Sequence, residues 1–396
     1  MRPTLLCLVC LAAVPARAAP PTDAEIVAAD ALTLRAEIAA GHVTAEQVTA
    51  AFLRRIAALN AAGPGLRAVI EVNPDALAIA RRLDRQRARG PLGPLYGVPV
   101  LIKANIDTAD RMATSAGSAA LAAHRAREDA VVVTRLRAAG AVLLGKTNLS
   151  EWANFRSTAS ISGWSSLGGQ TRNPYVLDRN PCGSSSGSAV AVAARLAPLA
   201  VGTETDGSIV CPAAANGVVG VKPTVGAVPQ RGIVPIAHSQ DTAGPLARSV
   251  ADAALLLGVL TGTGDSCAAP LGSLAGLRIG VVRNYLGAGR VPAVEAGFDR
   301  ALGVLRDLDA ELVDPVTPAG PPDGAEHAVL IAEFRDGIGA YLKGVRRGPR
   351  SLDALIAFNA RHEAQVMPLF GQELLVEARA SPGRADPQYA LAMTAI

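Results

Sequence analysis

The strand-like runs of this sequence are apolar almost throughout, with little of the in–out alternation that a strand with one wet face would show. Residues 68–72 read AVIEV, 97–103 GVPVLIK, 141–144 AVLL, 198–203 PLAVGT and 277–282 LRIGVV, with a further short run at 217–221. Helical segments separate them. Thr44-Ala-Glu-Gln47 is a capping box opening an amphipathic helix that runs to about Asn60. Asp129 is placed to cap a second helix, residues 189–196 read as a third, and Ser249-Val-Ala-Asp252 is a second capping box before ALLLGVL. A helix over 293–308 precedes a strand at 311–313, and the Pro/Gly-rich stretch 315–324 reads as a loop at a subdomain edge. Strands buried on both sides and separated by helices predict an α/β fold, with a large mixed, mostly parallel central sheet covered by helices on both faces. The composition suits such a core: half of the 396 residues are apolar and only 3% aromatic, so Ala, Val, Leu and Ile must fill it.

Charge excludes some partners. The formal net charge is +4, yet of the 38 basic residues only Lys103, Lys146, Lys222 and Lys343 are lysines. The arginines are scattered singly or in pairs, without the basic stripe or interleaved aromatics of a nucleic-acid surface. A solvated surface is the reading for them. Residues 1–19 read as a signal peptide: Arg2 gives a basic start, residues 5–14 an apolar stretch too short to span a membrane, and Ala16-Arg17-Ala18 a small-x-small cleavage site. The expectation is an exported protein, periplasmic or secreted, with residues 20–396 as one domain and no membrane partner. Cys7 and Cys10 leave with the signal. Cys182, Cys211 and Cys267 remain, without zinc-ligand spacing, and are expected as buried free thiols; an oxidising compartment would allow one bridge.

Between Ser157 and Ser208 the rhythm changes to ten serines and seven glycines, interspersed with apolar helix and strand segments. A polar loop system laid over a core is where catalytic groups usually sit. Three segments carry chemistry. Lys103 ends the apolar run GVPVLIK; burial of its ammonium would lower its pKa and make a neutral amine, a general base that arginine cannot be. The alternative is a strand-end lysine whose amine reaches water. Gly183-Ser-Ser-Ser-Gly187 fits the G-x-S-x-G nucleophile elbow, with Ser185 as nucleophile and His238, His327 and His362 downstream. The elbow needs a strand before it, and two prolines within 171–181 argue against one. In Gly202-Thr-Glu-Thr-Asp-Gly-Ser-Ile209, small residues after a strand allow consecutive N–H groups to form an anion-binding nest.

Taken together, NPCGSSSGS, VGTETDGSIVCPAAANGVVGVKPT with its second serine 24 residues after Ser184, and the upstream GVPVLIKANID resemble the amidase signature family, most closely its bacterial peptide amidases. The similarity extends over SGWSSLGGQTRNPY and SQDTAGP, and is good over residues 26–260 and weak over 261–396. The resemblance implies the amidase signature fold and hydrolysis of small amides or amidated peptides without metal or organic cofactor. It implies Ser208 as nucleophile, Ser184 as a bridging serine in a cis peptide after Gly183, and Lys103 as base. Backbone N–H groups of Thr205, Asp206, Gly207 and Ser208 would form the oxyanion hole, with Thr203 behind them. Three departures stand out. Glu204 and Asp206 replace a frequent Asp and Gly, and Ala104 replaces an acidic residue after the base. Family members also continue past Ile396, so the C-terminal part is expected to be truncated.

Overall fold

The structure is a computed structural model, and it describes residues 21–90, 92–264, 273–283, 291–318, 320 and 322–396. The signal-peptide segment, with Cys7 and Cys10, and Cys267 lie outside the described residues. Ten strands are described: β1 (Val69–Val72), β2 (Pro99–Lys103), β3 (Val142–Thr147), β4 (Trp164–Ser165), β5 (Gly169–Gln170), β6 (Leu199–Glu204), β7 (Val219–Gly220), β8 (Thr242–Ala247), β9 (Arg278–Val282) and β10 (Glu311–Val316). Six form the central sheet in the order β1-β3-β2-β6-β8-β7. Its heart is parallel, β3 to β2 and β2 to β6, and antiparallel strands flank it. β4 pairs antiparallel with β5, and β9 pairs parallel with β10 apart from the central sheet.

Neighbouring residues of the central strands point to opposite faces, and both faces are dry. Leu101, Leu144 and Ala200 join the core under the helices Ala45–Ile56 and Ser186–Ala193. Val100, Ile102, Leu143, Leu199 and Val201 join the core under the helices Val131–Ala138 and Val250–Thr261. Burial on both sides is the reason these strands lack alternation, and it matches the expected α/β fold. A third cluster lies beneath the C-terminal helices Ala325–Lys343, Leu352–Arg361 and Glu373–Ala380. Among the described residues no helix is long and apolar enough to cross a membrane.

Several local expectations are corrected. Asp129 does not cap its helix: Ala130 is the N-cap, and the Asp129 carboxylate accepts from Ala109 N and Arg137 instead. At Ser249 the hydroxyl accepts from Asp252 N, but the Asp252 carboxylate reaches away to Ala31 N and Leu32 N, so the box is half made. The expected loop at 315 begins later, because β10 runs through Pro315 to Val316. The third helix spans 186–193, starting within the serine block.

Candidate active site

Lys103 is the last residue of β2, two residues beyond Leu101 and therefore on the face that carries the helix Ser186–Ala193. Its side chain is fully buried. Nζ lies 2.7 Å from Ser184 Oγ and donates to Thr203 Oγ1 at 2.8 Å and Thr203 O at 3.1 Å. Burial pulls its pKa down to about 7, against the partly offsetting pull of the Asp241 and Glu204 carboxylates. The amine is dry, so the alternative of a strand-end lysine in water is excluded.

Ser184 follows a cis peptide bond from Gly183, and Ser150 N donates to its carbonyl. Ser185, Ser186 and Ser188 each have a structural partner. Ser185 Oγ donates to Thr203 O at 2.9 Å and accepts from Thr203 N at 3.1 Å. Ser186 Oγ donates to Cys182 O, and Ser188 Oγ donates to Val201 O. The Ser185 and Ser188 bonds dock the start of the helix onto β6 and leave Ser184 to face the lysine. The elbow alternative for Ser185, already disfavoured by the two prolines, gains no support: no strand leads directly into it, and its hydroxyl is committed to the sheet. Two of the downstream histidines are also occupied elsewhere, His327 with Glu377 and His362 with Phe358.

Ser208 sits in the turn between β6 and the short helix Val210–Ala215. Ser185 N donates to Ser208 O at 3.0 Å, which fixes the two serine segments side by side. Among the described residues no protein group bonds the Ser208 hydroxyl, and the N–H groups of Asp206, Gly207 and Ser208 have no protein acceptor. Gly207 has φ 72°, and a Cβ there would meet nothing within 4 Å, so the backbone conformation rather than space calls for glycine. The departures at 204 and 206 have local explanations only in part. The buried Glu204 carboxylate accepts from Ile209 N at 2.5 Å and Val210 N at 2.9 Å, holding the turn closed. Nothing in the structure explains Asp206.

Two positions beside the candidate site had only weak sequence signals. Asn105, two residues past the lysine, donates to Thr203 Oγ1 at 3.0 Å. Asp241, within SQDTAGP, accepts from Thr205 Oγ1 at 2.5 Å and from Ile236 N and Ala237 N. Burial raises the Asp241 pKa, and these donors pull it back. A cavity of about 470 Å³ has Asn105, Thr203, Thr205, Ile233, Ile236 and Tyr341 on its wall. Cys182 and Cys211 form a disulfide, which corrects the expectation of free thiols at these two positions. Among the described residues no cluster of His, Cys, Asp or Glu is arranged to hold a metal ion.

Comparison with known proteins agrees with the fold. The Amidase family model matches residues 47–367. A native peptide amidase from Stenotrophomonas maltophilia superposes with a TM-score of 0.85 at 53% identity, over 92% of this chain and 78% of that one. An Arabidopsis thaliana protein described as a probable amidase is 40% identical over 366 residues, 88% of this chain and 71% of the relative. A glutamyl-tRNA(Gln) amidotransferase chain from Acidothermus cellulolyticus is 44% identical over 309 residues, 74% of this chain and 59% of that relative. The chain belongs to the amidase signature family. It is an amide-hydrolysing enzyme.

Proposed function

We propose that this enzyme hydrolyses small carboxamides or peptide C-terminal amides through an acyl-enzyme on Ser208, and that it does so outside the cytoplasm. The observation that carries the reading is the buried Lys103 amine, in contact with Ser184 Oγ and both Thr203 oxygens. A neutral amine has two N–H groups and one lone pair. Thr203 O can only accept, so one N–H goes there; in this scheme the other goes to Thr203 Oγ1, which also accepts from Asn105. The lone pair then faces Ser184 Oγ and takes its proton while Ser184 takes the proton of Ser208. Ser208 Oγ bonds the carbonyl carbon, and the N–H groups of Thr205, Asp206, Gly207 and Ser208 receive the oxyanion, each worth about 3 kcal/mol. The C–N bond breaks, the leaving nitrogen takes the proton back from Lys103 through Ser184, and ammonia departs. Water attacks the ester by the same relay and releases the acid. Thr203 and Asn105 serve this scheme by orienting the lysine. No cofactor enters it.

The substrate class rests on the likeness to the solved structure titled as a peptide amidase, and on a cavity wall that includes Ile233 and Ile236. The exported location rests on the signal-like residues 1–19 and on the Cys182–Cys211 disulfide, a bond that persists in oxidising compartments. The test is ammonia release from a panel of amidated dipeptides, simple amides and glutamine, paired with fluorophosphonate labelling and mass mapping. Turnover with the adduct on Ser208, both lost in Ser208→Ala, is expected. An adduct on Ser185 would overturn the nucleophile. Ammonia from none of the amides would leave a family member without turnover.

A further inference from the structure

We infer that the Cys182–Cys211 disulfide is a positioning cross-link for the reaction, holding the Ser184 and Ser208 segments in register so that full turnover requires the oxidised form. The inference rests on the proposed pairing of these two serines.

Neither serine stands on a strand. Ser184 is reached through residues 171–183, which contain no helix or strand, and Ser208 lies in the turn after β6. Hydrogen bonds join the segments at three places. Ser185 N donates to Ser208 O, Asn173 Nδ2 donates to Ala215 O at 2.9 Å, and Asn216 Nδ2 donates to Pro181 O at 2.9 Å and Pro212 O at 2.7 Å. The disulfide is the one covalent link between them among the described residues. Cys182 lies two residues before Ser184, and Cys211 three residues after Ser208, with Cys211 N also donating to Gly207 O at 2.9 Å. The cross-link thus spans the mouth of the two segments whose relative placement decides whether one hydroxyl can pass a proton to the other. Proton relays tolerate little error: a misplacement of about 1 Å can cost on the order of a hundredfold in rate.

The bridge is also reachable. Cys211 is exposed and Cys182 half-buried, whereas Ser184 and Ser208 are buried. A dithiol reductant can therefore break the S–S bond. Each Sγ takes one proton, and the reductant leaves as its own disulfide. Oxidised glutathione reverses the step, reforming the bridge and releasing two reduced glutathiones.

The experiment measures kcat and KM of the full chain before and after dithiothreitol, and after reoxidation with oxidised glutathione. It uses the best amide of the panel at a temperature where circular dichroism shows both forms folded. Reduction is expected to lower kcat by roughly tenfold or more while KM changes little, and reoxidation to restore it. The Cys182→Ser/Cys211→Ser variant should be slow from the start and indifferent to reductant. Cys267→Ser should respond like the parent. Hydrogen exchange gives a readout independent of turnover: after reduction, peptides covering 183–188 and 205–211 should exchange faster, and those covering β2 should not. Unchanged kcat in the reduced enzyme, or unchanged exchange in both segments, would overturn the inference, as would a reductant response that vanishes in Cys267→Ser. If the oxidised enzyme releases no ammonia, the hydrolase reading falls, and the exchange data still decide the cross-link.

Discussion

At the scale of single residues, the proposed chemistry turns on one lysine whose charge the fold disfavours. Below a pH of about 7 the ammonium form of Lys103 predominates and has no lone pair to accept the Ser184 proton. The kcat/KM profile is therefore expected to rise through about 7 and level above it, falling by about tenfold per pH unit on the acid side. Asp241 raises the Lys103 pKa, so Asp241→Asn should move the inflection to lower pH. Lys103→Met and Lys103→Arg should be inactive throughout, since neither can alternate between neutral and charged forms. A flat profile between pH 5.5 and 8 would contradict this role. The apolar run and the resemblance pointed to Lys103, yet Lys146 also ends an apolar run, AVLLGK. Both are fully buried, and burial lowers Lys146 too, to about 8. The difference is in the neighbours: Lys146 donates to Ile106 O, near Asp107 and Asp110, and so ties β3 to the loop after β2. Such neighbours come from distant parts of the chain and leave no trace in local spacing.

At the scale of elements, the serine block works as a dock before it works as a site. Ser185 exchanges two hydrogen bonds with the Thr203 backbone in a dry setting. Ser185→Ala would leave the Thr203 N–H buried and unpaired, so a loss of about 1–3 kcal/mol in unfolding free energy is expected. Turnover per folded molecule should persist, because Thr203 O keeps its bond to Lys103. Denaturant titration and active-site labelling of the same sample separate the two effects; complete loss of labelling with unchanged stability would return Ser185 to the nucleophile's place. The central strands were legible because burial on both faces writes itself as unbroken apolar runs. β8 was not, although it pairs with β6 over six residues. Its sequence, Thr242-Ala-Gly-Pro-Leu-Ala247, holds a glycine and a proline that local propensity assigns to turns. Gly244 is needed there because a Cβ would run into Val221 O. The caps at Asp129 and Asp252 failed for a related reason: each carboxylate found partners far along the chain.

At the scale of the whole molecule, one arginine joins the catalytic layer to the C-terminal helices. Arg156 is fully buried, against the expectation of a solvated surface for the arginines, and nothing in the sequence distinguishes it from the others. Its guanidinium pairs with Glu151 at 2.7 Å and donates to the carbonyls of Val366, Phe370 and Gly371 at 2.8 to 3.1 Å. It also lies 4.2 Å from the centre of the Phe370 ring and 5.4 Å from that of Trp164. Four acceptors in different directions suit a planar fork with five donors and no other side chain. Glu151 in turn accepts from Ser166 N, so the ion pair links the loop after β3, the β4–β5 hairpin and the chain segment at 366–371. Removing the arginine strands a buried carboxylate and three carbonyls. Breaking a buried pair in this way costs about 3–5 kcal/mol, and Arg156→Met is expected to fall in that range. Arg156→Lys should recover only part, because a single ammonium has three donors and no breadth. Both tryptophans, Trp152 and Trp164, lie in this region, so intrinsic fluorescence in urea reads the loss where it occurs. If Arg156→Met unfolds within about 1 kcal/mol of the parent, the C-terminal helices are held by their apolar contacts alone, through residues such as Phe334, Leu355 and Leu375.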